Sequence, residues 1–413
     1  MRLPAAAYGR TEVCCGARNL RAARTAASNF DRCHSFLLAV SATGGARKRP
    51  VRPYEECIMT KTILRLTASG GLLLLTGLMV LAAKFFGVVV FAFYPEFSRS
   101  VTGVLAAVTS VVPFALCEVL LAALVLWFLI SLIRAIVRRR LVRWVTGVLL
   151  IVCILLTAFV GIWGLNYYAP PMRERLGLSD RQFTVAELKE ATLYFGAQAG
   201  ALAGQVERDE NGVMVEYDFD TLAAAAGSGY ETLSQSMDCF DGSTVRVKRL
   251  LSSKLQAKVA MTGVFICLTG ESCVSTYTHS ASMPFTMCHE IGHRMAFAKE
   301  DEANFAAFLA CAANSLPEFR YSGYYSAFRY CYNALASKDR DAAAEVWAAT
   351  DPAIKTDWYD ATEYYASLRS DTAAEVTDKV YDTYLKSFSV ESGVQSYGEV
   401  ADLLLLWYFE RIK

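Results

Sequence analysis

The hydrophobic pattern changes character near residue 165. Before it, apolar residues come in long unbroken runs; after it, they recur at helical or strand spacing among charged positions. Three runs are long enough to cross a bilayer, at 70–93, 113–133 and 144–164. Lys84 is the one charge in the first run and is expected to snorkel toward an interface. Glu118 lies near one end of the second, and Trp144 and Trp163 bracket the third as interfacial anchors. The C-terminal stretch LLLLWYF is too short to span.

The region after 165 is long enough for one cored domain. Thr184, followed three residues later by Glu187, predicts a capping box that opens a helix. A short helix is expected over 228–238. The β-branched and apolar stretch 258–268 reads as a strand that ends at the turn Thr269–Gly270–Glu271–Ser272. Helical spacing then returns at 317–336, 339–349, 357–369, 371–388 and 396–411, with no repeat of fixed period. The fold class that follows is α+β with helices dominant, preceded by three transmembrane helices.

Charge adds orientation. Arg134, Arg138, Arg139, Arg140 and Arg143 fall between the second and third runs, while only Arg99 falls between the first and second. The positive-inside rule then puts the arginine loop in the cytoplasm and residues 166–413 outside a multi-pass cytoplasmic membrane protein, with membrane lipid as one partner. A net charge of +1 argues against a nucleic-acid partner. Residues 1–58 are rich in Arg, Ala and Cys and lack an apolar period, so they read as a start-site artefact or disordered N-terminus. Met59 would begin a membrane domain over 59–165; a targeting peptide is the other reading of the first segment. Cys267 and Cys273 flank a turn and could pair outside the cytoplasm, but the cysteine spacing gives no framework, so buried free thiols are expected.

The candidate chemistry sits at His289-Glu290-Ile291-Gly292-His293. Residues four apart share a helix face, so His289 and His293 can present two imidazoles to one zinc ion, with Glu290 placed as general base. Ser282 and Pro284 are start signals for that helix, and Phe285, Cys288, Ile291 and Met295 give it a core-facing stripe. Cys288 points about 100° away from His289 and is not a ligand. At about 14–16 residues the helix is too short to lie across hydrocarbon. A zinc hydrolase needs a third ligand. Glu300 is the expected one, with Asn304 one turn later as an orienting partner and Glu302 as the alternative ligand. The chain must then turn sharply near Ala296–Lys299. Tyr321 and Tyr324 are candidate oxyanion donors. His279 is expected as a solvated loop residue.

The pairing of HExxH with the later Glu300-Asp301-Glu302-Ala303-Asn304-Phe305 resembles zinc peptidases of the gluzincin type. More widely, WGLNYYAPPMRERLGL, GVFICLTGES and MPFTMCHEIGHRMAFAKEDEANFAAFLAC resemble a bacterial membrane-protein family known as domain of unknown function 3810, over roughly 60–410. The resemblance implies three membrane helices and a zincin-like extracytoplasmic domain, in which the strand before the active-site helix holds an extended substrate. The expectation is a membrane-anchored zinc metalloprotease acting on a peptide or protein. The alternatives are a zinc hydrolase of a non-peptide amide such as a cell-wall component, and a non-catalytic protein with a structural metal site. No phosphate-binding loop or serine-nucleophile elbow is present.

Overall fold

The computed structural model describes residues 53–372 and 397–413, with positions 375, 379 and 383 between them. The chain divides into two compact units, Met1–Glu56 and Cys57–Lys413, and the architecture below is that of the second. The N-terminal segment to residue 52, and most of the helix expected over 371–388, lie outside the described residues.

Three helices are long and apolar enough to cross a membrane. They are the stretch Met59–Phe85 of α1 (Pro53–Phe85), α4 (Leu116–Val137) and α5 (Leu141–Ile162). The first differs in frame from the run at 70–93. Helix α1 starts well before residue 70, and Phe86 leaves the helical region with φ −122° and ψ 33°. The apolar run continues past this break, so composition alone carries no mark of it. The chain instead forms α2 (Gly87–Phe91) and α3 (Tyr94–Thr109), and the Tyr94 hydroxyl donates to the Val160 carbonyl at 3.0 Å, seating α3 beside α5. Lys84, in the last turn of α1, lies over the Tyr168 ring at 5.3 Å.

The remainder is helix-dominated with one small sheet. After α6 (Met172–Arg175) comes α7 (Val185–Ala203), opened by the expected capping box: Glu187 N donates to Thr184 Oγ1 at 3.2 Å, and Thr184 N to the Glu187 carboxylate at 2.9 Å. Helices α8 (Phe219–Ala225), α9 (Ser228–Ser234) and α10 (Ser253–Lys258) are short. Strands β1 (Lys248–Arg249), β2 (Gly263–Ile266) and β3 (Glu271–Val274) lie in the order β1–β3–β2, with β2 antiparallel and β1 parallel to the central strand. The strand expected over 258–268 is thus four residues long. Then follow α11 (Met283–Arg294), α12 (Glu300–Ala312), α13 (Pro317–Lys338), α14 (Arg340–Ala349), α15 (Pro352–Leu368) and the C-terminal helix Tyr397–Trp407.

The core forms where α7, α11, α12, α13 and the C-terminal helix pack together around Phe195, Phe308, Phe328 and Leu404. The sheet packs on α11, where the Ser272 hydroxyl donates to the Glu290 carbonyl at 2.7 Å. It also grips the start of α4. The first backbone amides of α4, Leu116 and Cys117, donate to Glu271 at 2.8 and 2.7 Å, and Lys248 Nζ pairs with the same carboxylate at 2.6 Å. A carboxylate here satisfies amides that the helix itself leaves unpaired and complements its dipole. Burial alone would raise the Glu271 carboxyl, but Lys248 and the α4 amides hold it below the usual carboxylate value. Glu118 returns the grip, accepting from the Ser252 amide at 3.1 Å.

Eight cysteines among the described residues are free thiols. Cys267 packs with Trp163 and Tyr167, whereas Cys273 packs with Ala115 and Leu250. The two therefore sit in separate clusters and do not pair, although both flank the β2–β3 turn.

Candidate metal centre

Helix α11 carries Pro284 in its first turn and buries Phe285, Cys288 and Ile291. Ser282 occupies the N-cap position but makes no side-chain cap bond. With that face fixed in the core, His289 and His293 stack one turn apart, their ring centroids separated by 4.7 Å. The helix stops at Arg294, and the sharp turn is made by Ala296 itself, at φ +68°. Ala296 N donates to His293 O at 3.0 Å and Phe297 N to Gly292 O at 3.2 Å, a doubly bonded helix end whose left-handed position is commonly glycine. An alanine there costs about 1 kcal/mol. The short link holds nonetheless, and Glu300 becomes the first residue of α12.

The turn brings the carboxylate onto the histidines. Glu300 Oε2 lies 3.3 Å from His289 Nε2, and its Oε1 lies 3.5 Å from His293 Nε2. One ligand atom from each of the three residues falls within 4.8 Å of the others. Tetrahedral zinc with bonds of about 2.1 Å needs donors about 3.4 Å apart, so the spacing fits. The donor set fits as well, since two imidazoles and a carboxylate suit a borderline divalent ion. His293 Nδ1 donates to the Phe297 carbonyl at 2.8 Å, which fixes the tautomer and leaves Nε2 facing Glu300. His289 Nδ1 is buried without a partner.

Electrostatics separates the two carboxylates. Burial works to raise Glu300, but His293 and His289 outweigh it and hold Glu300 well below the carboxylate range. Burial works to lower His293, and Glu300 overrides it, lifting the imidazole to about 9. Glu290 is 4% exposed, and burial pushes its carboxyl up to about 7 against the pull of the two histidines. Its Oε2 has no hydrogen-bond partner among the described residues. The residue packs on β2: a Cβ built on Gly263 would come within 2.4 Å of Glu290 Oε1, so only glycine lets the strand pass this close. Because β2 is at one end of the strand order, no further strand of the described sheet pairs with its outer edge.

Other expected site residues go elsewhere. Glu302 is buried and turned from the histidines, accepting from the Met172 amide at 3.0 Å, with Lys299 at 3.8 Å. Asn304 is half-buried and its side chain makes no hydrogen bond among the described residues, so its orienting role has no bond to show for it. Tyr321 is fully buried, and its hydroxyl is taken by Asp357, which also pairs with Arg208 at 3.1 Å. Tyr324 packs between Phe195 and Phe308. Neither tyrosine faces the histidines as an oxyanion donor, because a distant partner or the core claims each. His279 is not solvated; it is 4% exposed, with Nε2 2.9 Å from Asp360 Oδ2.

Two contributors had no local signal. Trp163, read only as an interfacial anchor, donates its indole N–H to the His293 carbonyl at 2.9 Å and places its ring 6.1 Å from the imidazole. Phe297 serves through its backbone carbonyl, which no side-chain pattern announces. A cavity of about 560 Å³ between α7 and α14 includes none of the site residues.

No curated protein and no solved structure matches this chain. The family described as protein of unknown function (DUF3810) matches residues 93–405, which is most of the chain and includes every member of the histidine–glutamate group, and the protein belongs to that family.

Proposed function

We propose that the chain is a membrane-anchored zinc metallopeptidase whose catalytic domain lies outside the cytoplasmic membrane. The observation that carries this reading is the buried Glu290. Its unpartnered Oε2 lies beside a three-residue metal-binding group on one side, and its Oε1 against an edge strand on the other. Zinc held by His289, His293 and Glu300 would supply Lewis acidity to a carbonyl oxygen and to the attacking water. Glu290 takes the proton of that water and passes it to the leaving amine as the C–N bond breaks.

Among the described residues the group has three members, not four, which favours a reacting site over a closed structural one. The open edge of β2 favours a peptide over other amides, because an extended chain can pair with strand backbone whatever its side chains. The five arginines of the α4–α5 turn support the orientation.

The test is zinc analysis of the purified protein together with a peptide-library screen of the wild type and Glu290→Gln. The variant should keep its zinc and lose turnover by at least about 10²-fold. Unchanged turnover in the variant, or zinc lost along with it, would sink the assignment of Glu290 as the base.

A further inference from the structure

The opposite end of the long helices carries a second constellation. Arg65 of α1, Arg134 and Arg138 of α4, and Arg140 and Arg143 around the start of α5 line one cavity of about 500 Å³. No acidic residue lines it, and Trp127, Trp144, Val148 and Ile151 supply its apolar wall. The 22 residues of α5 put this cavity roughly 33 Å from Trp163 and the metal centre.

The cavity is built and not merely a loop of splayed charges. Arg65 Nη1 crosses from α1 to donate to the Arg143 carbonyl at 2.7 Å. It lies against Gly147, where an added Cβ would be 3.3 Å from Nη1. Trp144 Nε1 donates to Ser131 Oγ at 2.8 Å, joining α4 to α5 across the wall. Among the described residues Arg65, Arg134, Arg138 and Arg143 form no ion pair. Like charges gathered in a groove without a carboxylate raise the local potential and draw an anion.

We propose that this cavity binds the headgroup of an anionic phospholipid, its phosphate among the guanidinium groups and its acyl chains along the tryptophan and aliphatic wall. The inference rests on the reading that α1, α4 and α5 cross a membrane. Guanidinium forks match phosphate oxygens in pairs, and basic pockets between membrane helices take such headgroups. A free phosphate would satisfy the arginines but leave the apolar wall unused. A lipid with two phosphates, diphosphatidylglycerol, best answers the number of arginines.

The full-length protein in neutral detergent is mixed with diphosphatidylglycerol, phosphatidylcholine or inorganic phosphate, and bound lipid is read by native mass spectrometry. Diphosphatidylglycerol should be retained and phosphatidylcholine not. Replacing Arg134→Gln together with Arg138→Gln should weaken retention about tenfold or more. These two side chains hold no described bond, so their loss leaves the helix packing intact. Arg65→Gln with Arg143→Gln should act in the same direction. Arg139→Gln removes the same single charge as Arg138→Gln alone, from the neighbouring position but outside the cavity, and should change retention less than about twofold where Arg138→Gln lowers it severalfold. Equal losses in Arg139→Gln and the lining variants would reduce the effect to bulk charge and overturn the site. Equal retention of phosphatidylcholine, or displacement by millimolar inorganic phosphate, would overturn the anionic-lipid assignment.

Discussion

Glu271 and Glu290 are both buried against the same small sheet, yet they are held in opposite ways. Glu271 accepts from Lys248 and from two amides of α4, and its carboxyl is held down. Glu290 has an oxygen with no hydrogen-bond partner among the described residues, and its carboxyl is pushed up to about 7. A buried carboxylate with every acceptor used is scaffold; it joins the sheet to the start of α4. One with an acceptor left over costs stability and is worth keeping only where something must be bound or deprotonated. The Arg208–Asp357–Tyr321 cluster falls on the Glu271 side of this division, since its carboxylate is fully engaged.

The largest effect should come from the scaffold. Glu271→Ala strands Lys248 as an uncompensated buried charge and should destabilise the chain by about 3–5 kcal/mol in thermal or denaturant unfolding, with zinc stoichiometry unchanged in the folded fraction. Loss of zinc in that fraction would merge the two regions into one. Next, Glu300→Ala should weaken zinc affinity by at least about 10²-fold, at or beyond the effect of losing an outer partner. Glu302→Ala should leave affinity unchanged while lowering stability, because its bond to the Met172 amide ties α12 to the chain before α7. Competition against a chromophoric chelator would show the wrong carboxylate had been chosen if the two variants exchanged behaviour.

The pH dependence sharpens the contrast. In the metal-free chain His293 is raised to about 9, so its protonation contributes stability that is complete below the unfolded value near 6.5 and is lost as pH rises through about 9. Zinc must displace that proton. Its affinity should therefore climb about tenfold per pH unit up to about 9 and level off above it. A flat affinity between pH 6.5 and 8.5 would mean zinc does not bind at the His293–Glu300 pair. The smallest effect belongs to the turn: Ala296→Gly should stabilise by about 1 kcal/mol, a rise of roughly 2–4 °C in Tm, by relieving the positive φ. An unchanged or lower Tm would show that the alanine methyl earns more by packing than the backbone loses.

What was legible in the chain follows distance along it. The HExxH face, the Thr184–Glu187 box and the closeness of Glu300 to the two histidines rest on contacts within a few residues or one turn, and residue spacing encodes them directly. The three apolar helices were legible by composition, but the end of the first was not, because a backbone break at Phe86 leaves the apolar run unchanged. Roles that need partners far away were hidden. Glu302 meets Met172, 130 residues off; Trp163 meets His293, also 130 residues off; Tyr321 meets Asp357 on another helix. Each has an ordinary local reading, as acidic helix start, interfacial anchor or tyrosine-rich face, and only packing replaces it.

The unpaired cysteines bear on how the chain meets oxidants. Burial pushes the Cys267 thiol up to about 12 and also raises Cys239, Cys311 and Cys331. Attack on oxidants and alkylating agents proceeds through thiolate, which such thiols scarcely supply. With no disulfide among the described residues either, the folded domain asks nothing of the redox poise of its compartment. Its stability in glutathione and in air should be the same.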